Sequence, residues 1–275
     1  MKHSFWLSAF LTVASAVSMR TSHCLRLRLV CILLLPLALA GCSLGEPQVT
    51  VRGSRIALDK GLDGKGDSTA TAIVNEYRQK VVEMQAPVLG FAPEPVERMR
   101  PEGPMNNFEA DVLMEYGSIY NGAPVDVAVA NYGGIRNTWA AGNITVGDVY
   151  KVFPFDNCLF LMTLTGEQLT TLFRAIAHDG GQPLSGAHLV IDTEGTLVTA
   201  DVQGKPIDPA AHYRIATLDY LAEGNDGMGV LAEGTDRQMF TEKTVRQLVT
   251  EKIESLTAAG KPVAPTTDGR ITLIE

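Results

Sequence analysis

Hydrophobic and polar residues follow different periods in different parts of the chain. Apolar residues recur every three or four positions in stretches that begin near residues 68, 106, 165 and 245, which is typical of amphipathic helices. Short apolar runs and stretches of strict alternation lie between them and indicate strands. Both helices and strands are therefore expected.

Four amphipathic helices are predicted, and each is expected to bury one apolar face. The first begins at Ser68 and closes before Pro87, because proline disfavours helical geometry in the residue before it. The fourth ends at Gly260. The residues expected in the core are Ile73, Val74, Tyr77, Val81 and Met84, then Phe108, Val112, Leu113, Tyr116 and Ile119, then Leu169, Leu172, Phe173 and Ile176, and finally Val245, Leu248, Val249, Ile253 and Leu256.

Two capping boxes mark helix starts. Thr145 with Asp148 predicts that a short helix begins at 146, and Thr165 with Gln168 predicts the start of the third amphipathic helix. Such caps hold the segments around them in fixed positions. Strands are expected at 51–57, 125–130, 187–192, 197–202, 213–218 and 271–274.

The segment 131–136, Asn-Tyr-Gly-Gly-Ile-Arg, follows a predicted buried strand. Asn131 therefore lies where a strand meets a loop, a place where ligand-binding groups are often found. Gly133 and Gly134 allow the backbone to approach a ligand closely, and Arg136 is a charged fork that suits carboxylate, phosphate or the polar edge of a sugar. Since a Gly-Gly turn alone is usually only a turn, the interpretation depends on the rest of the chain.

The first 41 residues have the composition of a secretory signal. They contain no acidic residue, include four basic residues and end in the apolar run 30–40. The run stops at Leu-Ala-Gly-Cys, which resembles the lipobox of bacterial lipoproteins, so lipidation is predicted at Cys42. Residues 42–50 would then be a tether and 51–275 a single domain. The protein is expected in the cell envelope, held to a bacterial membrane by its lipid.

The charge of the chain argues against several kinds of partner. After residue 41 the chain has 19 basic and 31 acidic residues, a net charge of −12. An acidic surface of this kind does not favour nucleic acid or charge-driven binding to an anionic membrane. Any contact with a phosphate must therefore come from local arginines.

Cysteine and histidine offer little chemistry. Cys158 is the one cysteine after Cys42, so neither a disulfide framework nor a cysteine metal site is predicted, and Cys158 is expected to be a small buried residue. His178, His188 and His212 are the histidines after the signal, and none lies in a metal-ligand motif. No metal site is expected in this chain.

Two motifs in order resemble a known family. Segment 131–136 leads through 142–150 to the Phe-Pro-Phe sequence at 153–155, and Asp-Tyr-Leu-Ala-Glu-Gly-Asn-Asp-Gly follows at 219–227. This arrangement resembles the C-terminal domain of the 5'-nucleotidase family, which includes UDP-sugar hydrolases and cyclic-nucleotide phosphodiesterases. The resemblance covers roughly residues 50–275. It implies a mixed α/β fold, a layered α/β/β/α sandwich with helices outside two mixed sheets.

The resemblance also implies a role for particular residues. Asn131 and Arg136 would be polar ligand contacts, and Phe155 and Tyr220 would form two walls of a slot for a base. Aromatic faces stack on any base, each for about 1–3 kcal/mol. Asp226 would accept hydrogen bonds from the ribose hydroxyls, since a carboxylate accepts from two neighbouring donors.

One further ligand contact departs from the family pattern. The family takes an arginine from the loop before the second helix, but here the spacing differs by about one residue, so that Pro101 stands at the expected place and Arg100 beside it. Arg100 is carried over as a ligand contact on that weaker basis. A solvated loop arginine is the alternative.

The catalytic half of such enzymes is a metallophosphatase domain, in which two divalent metal ions activate water. Its ligand motifs are not found in this sequence. The chain is therefore expected to be a nucleotide- or nucleoside-binding domain, without a cofactor of its own, that acts in extracytoplasmic nucleotide hydrolysis with a separately encoded metallophosphatase. Two alternatives stay open: part of a hydrolase for a UDP-sugar, cyclic nucleotide or sulfur compound, and an interaction module that binds no ligand.

Overall fold

The computed structural model describes residues 52–57 and 59–275. The predicted signal and Cys42 lie outside the described residues, and their processing stays a prediction. The described chain divides into a short segment with a 3-10 helix at Lys60–Lys65 and a unit that runs from Gly66 to Glu275. No helix among the described residues is both long and apolar enough to cross a membrane.

Residues 66–275 form six α-helices and eleven strands. The α-helices are α1 (Ser68–Gln85), α2 (Pro104–Asn121), α3 (Val146–Val152), α4 (Gly166–His178), α5 (Asp219–Ala222) and α6 (Val245–Ala258). The strands are β1 (Val88–Ala92), β2 (Val127–Val129), β3 (Gly142–Thr145), β4 (Cys158–Thr165), β5 (Leu184–Ser185), β6 (Ala187–Asp192), β7 (Leu197–Val202), β8 (Lys205–Pro206), β9 (His212–Leu218), β10 (Thr235–Thr244) and β11 (Ile271–Ile274). Two short 3-10 helices lie at Tyr132–Gly134 and Gly229–Glu233.

Two mixed sheets carry the fold. The larger has the strand order β10-β4-β9-β2-β5, in which β2 and β9 are parallel and the other neighbours antiparallel. The second has the order β11-β6-β7-β8, with β11 parallel to β6. A separate antiparallel pair joins β1 and β3. The mixed sheets and the surrounding helices confirm the predicted fold class.

The core lies on both faces of β4. Four consecutive residues of this strand, from Leu159 to Met162, are buried, which requires cover on both faces because neighbouring side chains in a strand point in opposite directions. Helices α2 and α4 both contact β4, and α4 also contacts β6 and β7 of the second sheet. This packing fixes the end of β4 from which the site is built.

The predicted helix starts are confirmed. Thr145 with Asp148 and Thr165 with Gln168 form the capping boxes that begin α3 and α4. All four apolar residues predicted to face the core from α4 are buried, and so are Val245, Leu248, Val249 and Ile253 of α6.

Several predictions about burial are wrong. Helix α1 forms where expected, but its apolar residues Ile73, Val74, Tyr77, Val81 and Met84 are 46 to 72% exposed. The reason is that α1 contacts α3 near its C-terminal end and lies over neither sheet. An amphipathic period predicts which face is apolar and does not show what covers it.

Three smaller differences concern single segments. Residues 52–57 form no strand and are exposed. Ile119 is exposed because it lies in the last turn of α2, beyond the part of the helix that is buried. Cys158 is half-buried rather than buried, and its partial burial raises the pKa of its thiol.

Candidate functional site

Three chain segments meet at one end of the larger sheet. The parallel pairing of β2 with β9 places the carboxyl ends of both strands at the same edge, so that Asn131 and Tyr220 follow neighbouring strands. Strand β4 runs antiparallel to β9 and pairs Leu159 with Leu218, which brings the turn before β4 to that edge as well. The two sequence motifs, about 90 residues apart, thus form one site.

A cavity of about 290 Å³ lies at this edge. Seven of the eight residues predicted from the sequence line it, and Asn157, which was not predicted, is the eighth lining residue. The lining consists of Asn131, Gly133, Gly134, Arg136, Phe155, Asn157, Tyr220 and Asp226.

Asp226 connects the two motifs. The Asn131 side-chain amide donates to its Oδ2 at 2.5 Å, and the Tyr220 hydroxyl donates to its Oδ1 at 2.9 Å. This hydrogen bond and the nearby charge of Asp226 raise the pKa of Tyr220. Asp226 itself has a φ of +53°, a left-handed geometry that aspartate tolerates better than most residues. The carboxylate is therefore held in place at the cavity by two donors.

The two glycines of the first motif differ in how much room a side chain would have. A β-carbon on Gly134 would lie 2.7 Å from Asn131 Oδ1, so this position has no room for a side chain. At Gly133 a β-carbon would lie 3.8 Å from Asn131 and Asp226, an ordinary contact. The Gly133 carbonyl accepts a hydrogen bond from Arg136 Nη1 at 2.9 Å. A side chain at Gly133 would therefore meet only ordinary contacts, and it would enter the lining of the cavity.

Two aromatic rings are exposed toward the cavity. Phe155 is 45% exposed and Tyr220 is 41% exposed. The Arg136 guanidinium carbon lies 5.4 Å from the centre of the Phe155 ring, within the range of a cation–π contact. Together the cavity offers two flat apolar surfaces, one fixed carboxylate and one permanent positive charge.

Arg100 does not line the cavity. Its guanidinium donates to Asp179 at 2.6 Å and to the Gly181 carbonyl at 2.9 Å. Its guanidinium carbon also lies 4.5 Å from the centre of the Tyr132 ring, while Arg98 packs on the same ring at 4.7 Å. In this structure Arg100 therefore stabilises the loop that carries the first motif.

No local sequence signal marks Arg246, which holds the Phe155 turn from the second residue of α6. Its guanidinium donates to the carbonyls of Phe153 at 3.1 Å and Phe155 at 3.0 Å, and it pairs with Asp156. It also packs on the Tyr150 ring at 4.1 Å. Asn157 was easier to find, since it lies two residues after Phe155 in the same segment of the sequence.

No metal centre is visible among residues 52–57 and 59–275, where no three His, Cys, Asp or Glu side chains form a group that could hold an ion. The three histidines lie on different elements. His178 ends α4, His188 is on β6 beside Asp201, and His212 begins β9.

Comparison of the sequence with models of known protein families identifies the family of this chain. The model of the 5'-nucleotidase C-terminal domain matches residues 86–233, more than half of the chain. The chain belongs to the 5'-nucleotidase C-terminal domain family. All the residues that line the cavity of this 5'-nucleotidase C-terminal domain lie within the match. Arg246 lies beyond it.

Relatives of known name support this membership. Protein UshA of Escherichia coli is 36% identical over 106 residues, which are 37% of this chain and 19% of that protein. The trifunctional nucleotide phosphoesterase protein YfkN of Bacillus subtilis is 28% identical over 185 residues, 61% of this chain and 12% of that protein. The solved structure of a 5'-nucleotidase precursor from Thermus thermophilus superposes with a TM-score of 0.65 at 26% identity, covering 75% of this chain and 43% of that one. The chain thus spans less than half the length of these relatives.

Proposed function

We propose that this 5'-nucleotidase C-terminal domain binds the nucleoside part of a nucleotide, in a system that hydrolyses nucleotides outside the cytoplasm. The single observation that carries this proposal is the cavity in which Phe155, Tyr220 and the fixed carboxylate of Asp226 come together. Family membership and the nucleotide phosphoesterase among the relatives support it.

Each group in the cavity suits a different part of a nucleoside. The rings of Phe155 and Tyr220 offer stacking faces for a base, and Asp226 offers carboxylate oxygens to the neighbouring hydroxyls of a ribose. Arg136 is exposed at the cavity and would contact a phosphate or another anionic group of the ligand. The overall acidity of the chain gives no general attraction for nucleotides, so affinity depends on these local contacts.

Replacing Phe155 or Tyr220 by alanine is expected to weaken adenosine binding about 5- to 150-fold, which corresponds to about 1–3 kcal/mol of stacking. Asp226→Ala should weaken adenosine more than 2',3'-dideoxyadenosine, because only the first has both ribose hydroxyls. Titration calorimetry with the full chain measures all three. Phe91→Ala is the matched control, since Phe91 is also about half exposed but lies on β1 and not in the lining of the cavity.

Absence of any binding to adenosine, AMP or UDP-glucose at millimolar concentration would contradict this proposal and favour an interaction module. Tighter binding of UDP-glucose than of AMP would instead favour a sugar-nucleotide hydrolase.

We propose further that the metal-activated water comes from a partner metallophosphatase. The exposed apolar face of α1 supports such a protein partner, since it lies directly before the family match and is covered by neither sheet. Val74, Tyr77 and Val81 form the middle of this face, with Arg78 and Lys80 beside it. The helix also carries Glu76 and Glu83, so its acidic and basic residues balance, and its apolar face rather than its charge supports a protein partner.

The chain alone is expected not to hydrolyse AMP, and addition of the metallophosphatase should raise kcat/KM for AMP, because the cavity would position the nucleoside for attack on the phosphate. Val81→Glu should abolish that gain and leave adenosine binding unchanged, whereas Phe155→Ala should reduce both. Glu83→Gln, an exposed change on the same helix, is the control. Chelator-sensitive hydrolysis by the pure chain, lost when His178 and His212 are replaced, would overturn the proposal.

A location in the cell envelope is part of the proposal and rests on the lipobox at 39–42. Two acyl chains make a stable membrane anchor, whereas one gives only reversible binding. Recovery of the wild type with membranes, and of Cys42→Ala as soluble or unprocessed protein, is the result that supports it.

A further inference from the structure

Two buried side-chain atoms in the described part of the chain lack a hydrogen-bond partner, and each belongs to a residue that lines one of two adjoining cavities. They are Glu109 Oε2 and Asn131 Oδ1. Asn131 lines the large cavity, Glu109 lines a second, small cavity, and Gly134 lines both. Because buried polar atoms are nearly always paired, two unpaired atoms at one glycine call for a physical explanation.

The small cavity adjoins the large one. Phe155 and Asn157, like Gly134, line both cavities. The volume of the small cavity is about 10 Å³, the room that one water molecule needs. Three polar side chains line it, those of Glu109, Asn157 and Arg246, and a buried water typically makes about three hydrogen bonds. The cavity therefore has the size and the partners of a water site.

Glu109 is suited to such a site because of its protonation. It is 3% exposed, and burial raises the pKa of its carboxyl to about 8. At neutral pH it is therefore an uncharged acid that both donates and accepts a hydrogen bond. Arg246 from α6 is the charged side chain of the lining, while β9 and the start of α6 contribute the apolar Leu218 and Val245.

We propose that Glu109 recognises the polar edge of a nucleobase stacked in the large cavity, through one water molecule in the small cavity. Stacking on Phe155 and Tyr220 accepts any base, so the aromatic walls give little choice between bases. A buried donor and acceptor in the adjoining small cavity distinguishes a base with an exocyclic amino or oxo group from one without, since only the former completes the hydrogen bonds. This inference rests on the proposed nucleoside binding and adds the residue that determines base preference.

The test compares three nucleosides that share the purine ring and the ribose: adenosine, inosine and purine riboside, which has no exocyclic group. Calorimetry with the full-length wild type at pH 6.5 should show that adenosine or inosine binds at least about 5-fold more tightly than purine riboside. In Glu109→Leu the three should agree within about 2-fold, and Glu109→Gln should keep most of the preference. Asp111→Asn is the control, since Asp111 is on the same helix, pairs with Arg270 and lines neither cavity.

The pH dependence gives a readout that a merely structural residue would not show. Raising the pH from 6.5 to 9 should change the preference of the wild type for adenosine over purine riboside, because Glu109 then loses its proton while neither nucleoside titrates in this range. The same preference in Glu109→Gln should stay constant. Equal preference in the wild type and Glu109→Leu would overturn the role of Glu109, while continued weakening by Phe155→Ala would keep the proposed function. If no nucleoside binds to the wild type, both proposals fail.

Discussion

Glu109→Leu is expected to be more stable than the wild type, and by more at pH 8 than at pH 5. In the folded wild type Glu109 keeps its proton up to about pH 8, whereas the unfolded chain loses it above the ordinary value of 4.5. Unfolding therefore releases a proton within this window, and the free energy of unfolding of the wild type falls as the pH rises through it, by about 1.4 kcal/mol per pH unit and about 5 kcal/mol at most. Leucine does not titrate and leaves no unpaired polar atom.

Urea unfolding at pH 5, 6.5 and 8, followed by the fluorescence of the buried Trp139, measures this difference. The free energy of unfolding of Glu109→Gln, relative to the wild type, should rise with pH as much as that of Glu109→Leu. At each pH it should be lower than that of Glu109→Leu, because the glutamine amide is still buried without a full set of partners. A difference between wild type and both variants that stays constant from pH 5 to pH 8 would show that Glu109 is ionised in the folded protein.

Arg246→Met is expected to lower the free energy of unfolding by about 2–4 kcal/mol and to weaken adenosine binding about 10-fold. The substitution keeps much of the apolar stem but leaves the carbonyls of Phe153 and Phe155 without their donor and Asp156 without its ion pair. Because these contacts set the conformation of the turn, Phe155 would lose the position from which it lines the cavity. Denaturation and calorimetry on the same preparation measure both effects.

Arg246→Lys separates charge from geometry. Lysine keeps the positive charge but not the planar fork that reaches two carbonyls and a carboxylate at once, so it should recover part of the stability and little of the binding. Arg174→Met is the control, since Arg174 is an exposed arginine on α4. Normal adenosine binding by a folded Arg246→Met protein would show that the turn keeps its shape without this side chain.

The sequence was sufficient for the residues that line the cavity because their signals are local. Gly133 and Gly134 in a loop after a buried strand, and Asp226 in an Asn-Asp-Gly turn, are readable within a few residues. Their meeting depends on the parallel register of β2 with β9, which neither strand shows by itself. Family resemblance supplied that long-range information before the structure did.

Contacts that depend on distant partners were missed or wrongly assigned. Arg246 lies about 90 residues from the turn that it holds, and no local pattern distinguishes it from other helical arginines. The apolar face of α1 has the period of a core helix and yet is exposed. The burial of Glu109 could have been predicted, because Met105, Glu109 and Leu113 follow one another at helical spacing on the buried face of α2. A carboxyl group is rare on such a face.

In the proposed nucleoside site, the two donors on Asp226 couple the recognition of the base energetically to that of the sugar. Tyr220 supplies a ring to the cavity and, through its hydroxyl, one of the two bonds that orient the carboxylate, while Asn131 supplies the other. Removing the Tyr220 ring therefore also releases the group that accepts from the ribose. In a double-mutant cycle the losses from Tyr220→Ala and Asp226→Ala should sum to more than the loss in the double variant, and no partition of the binding energy between base and sugar will be unique.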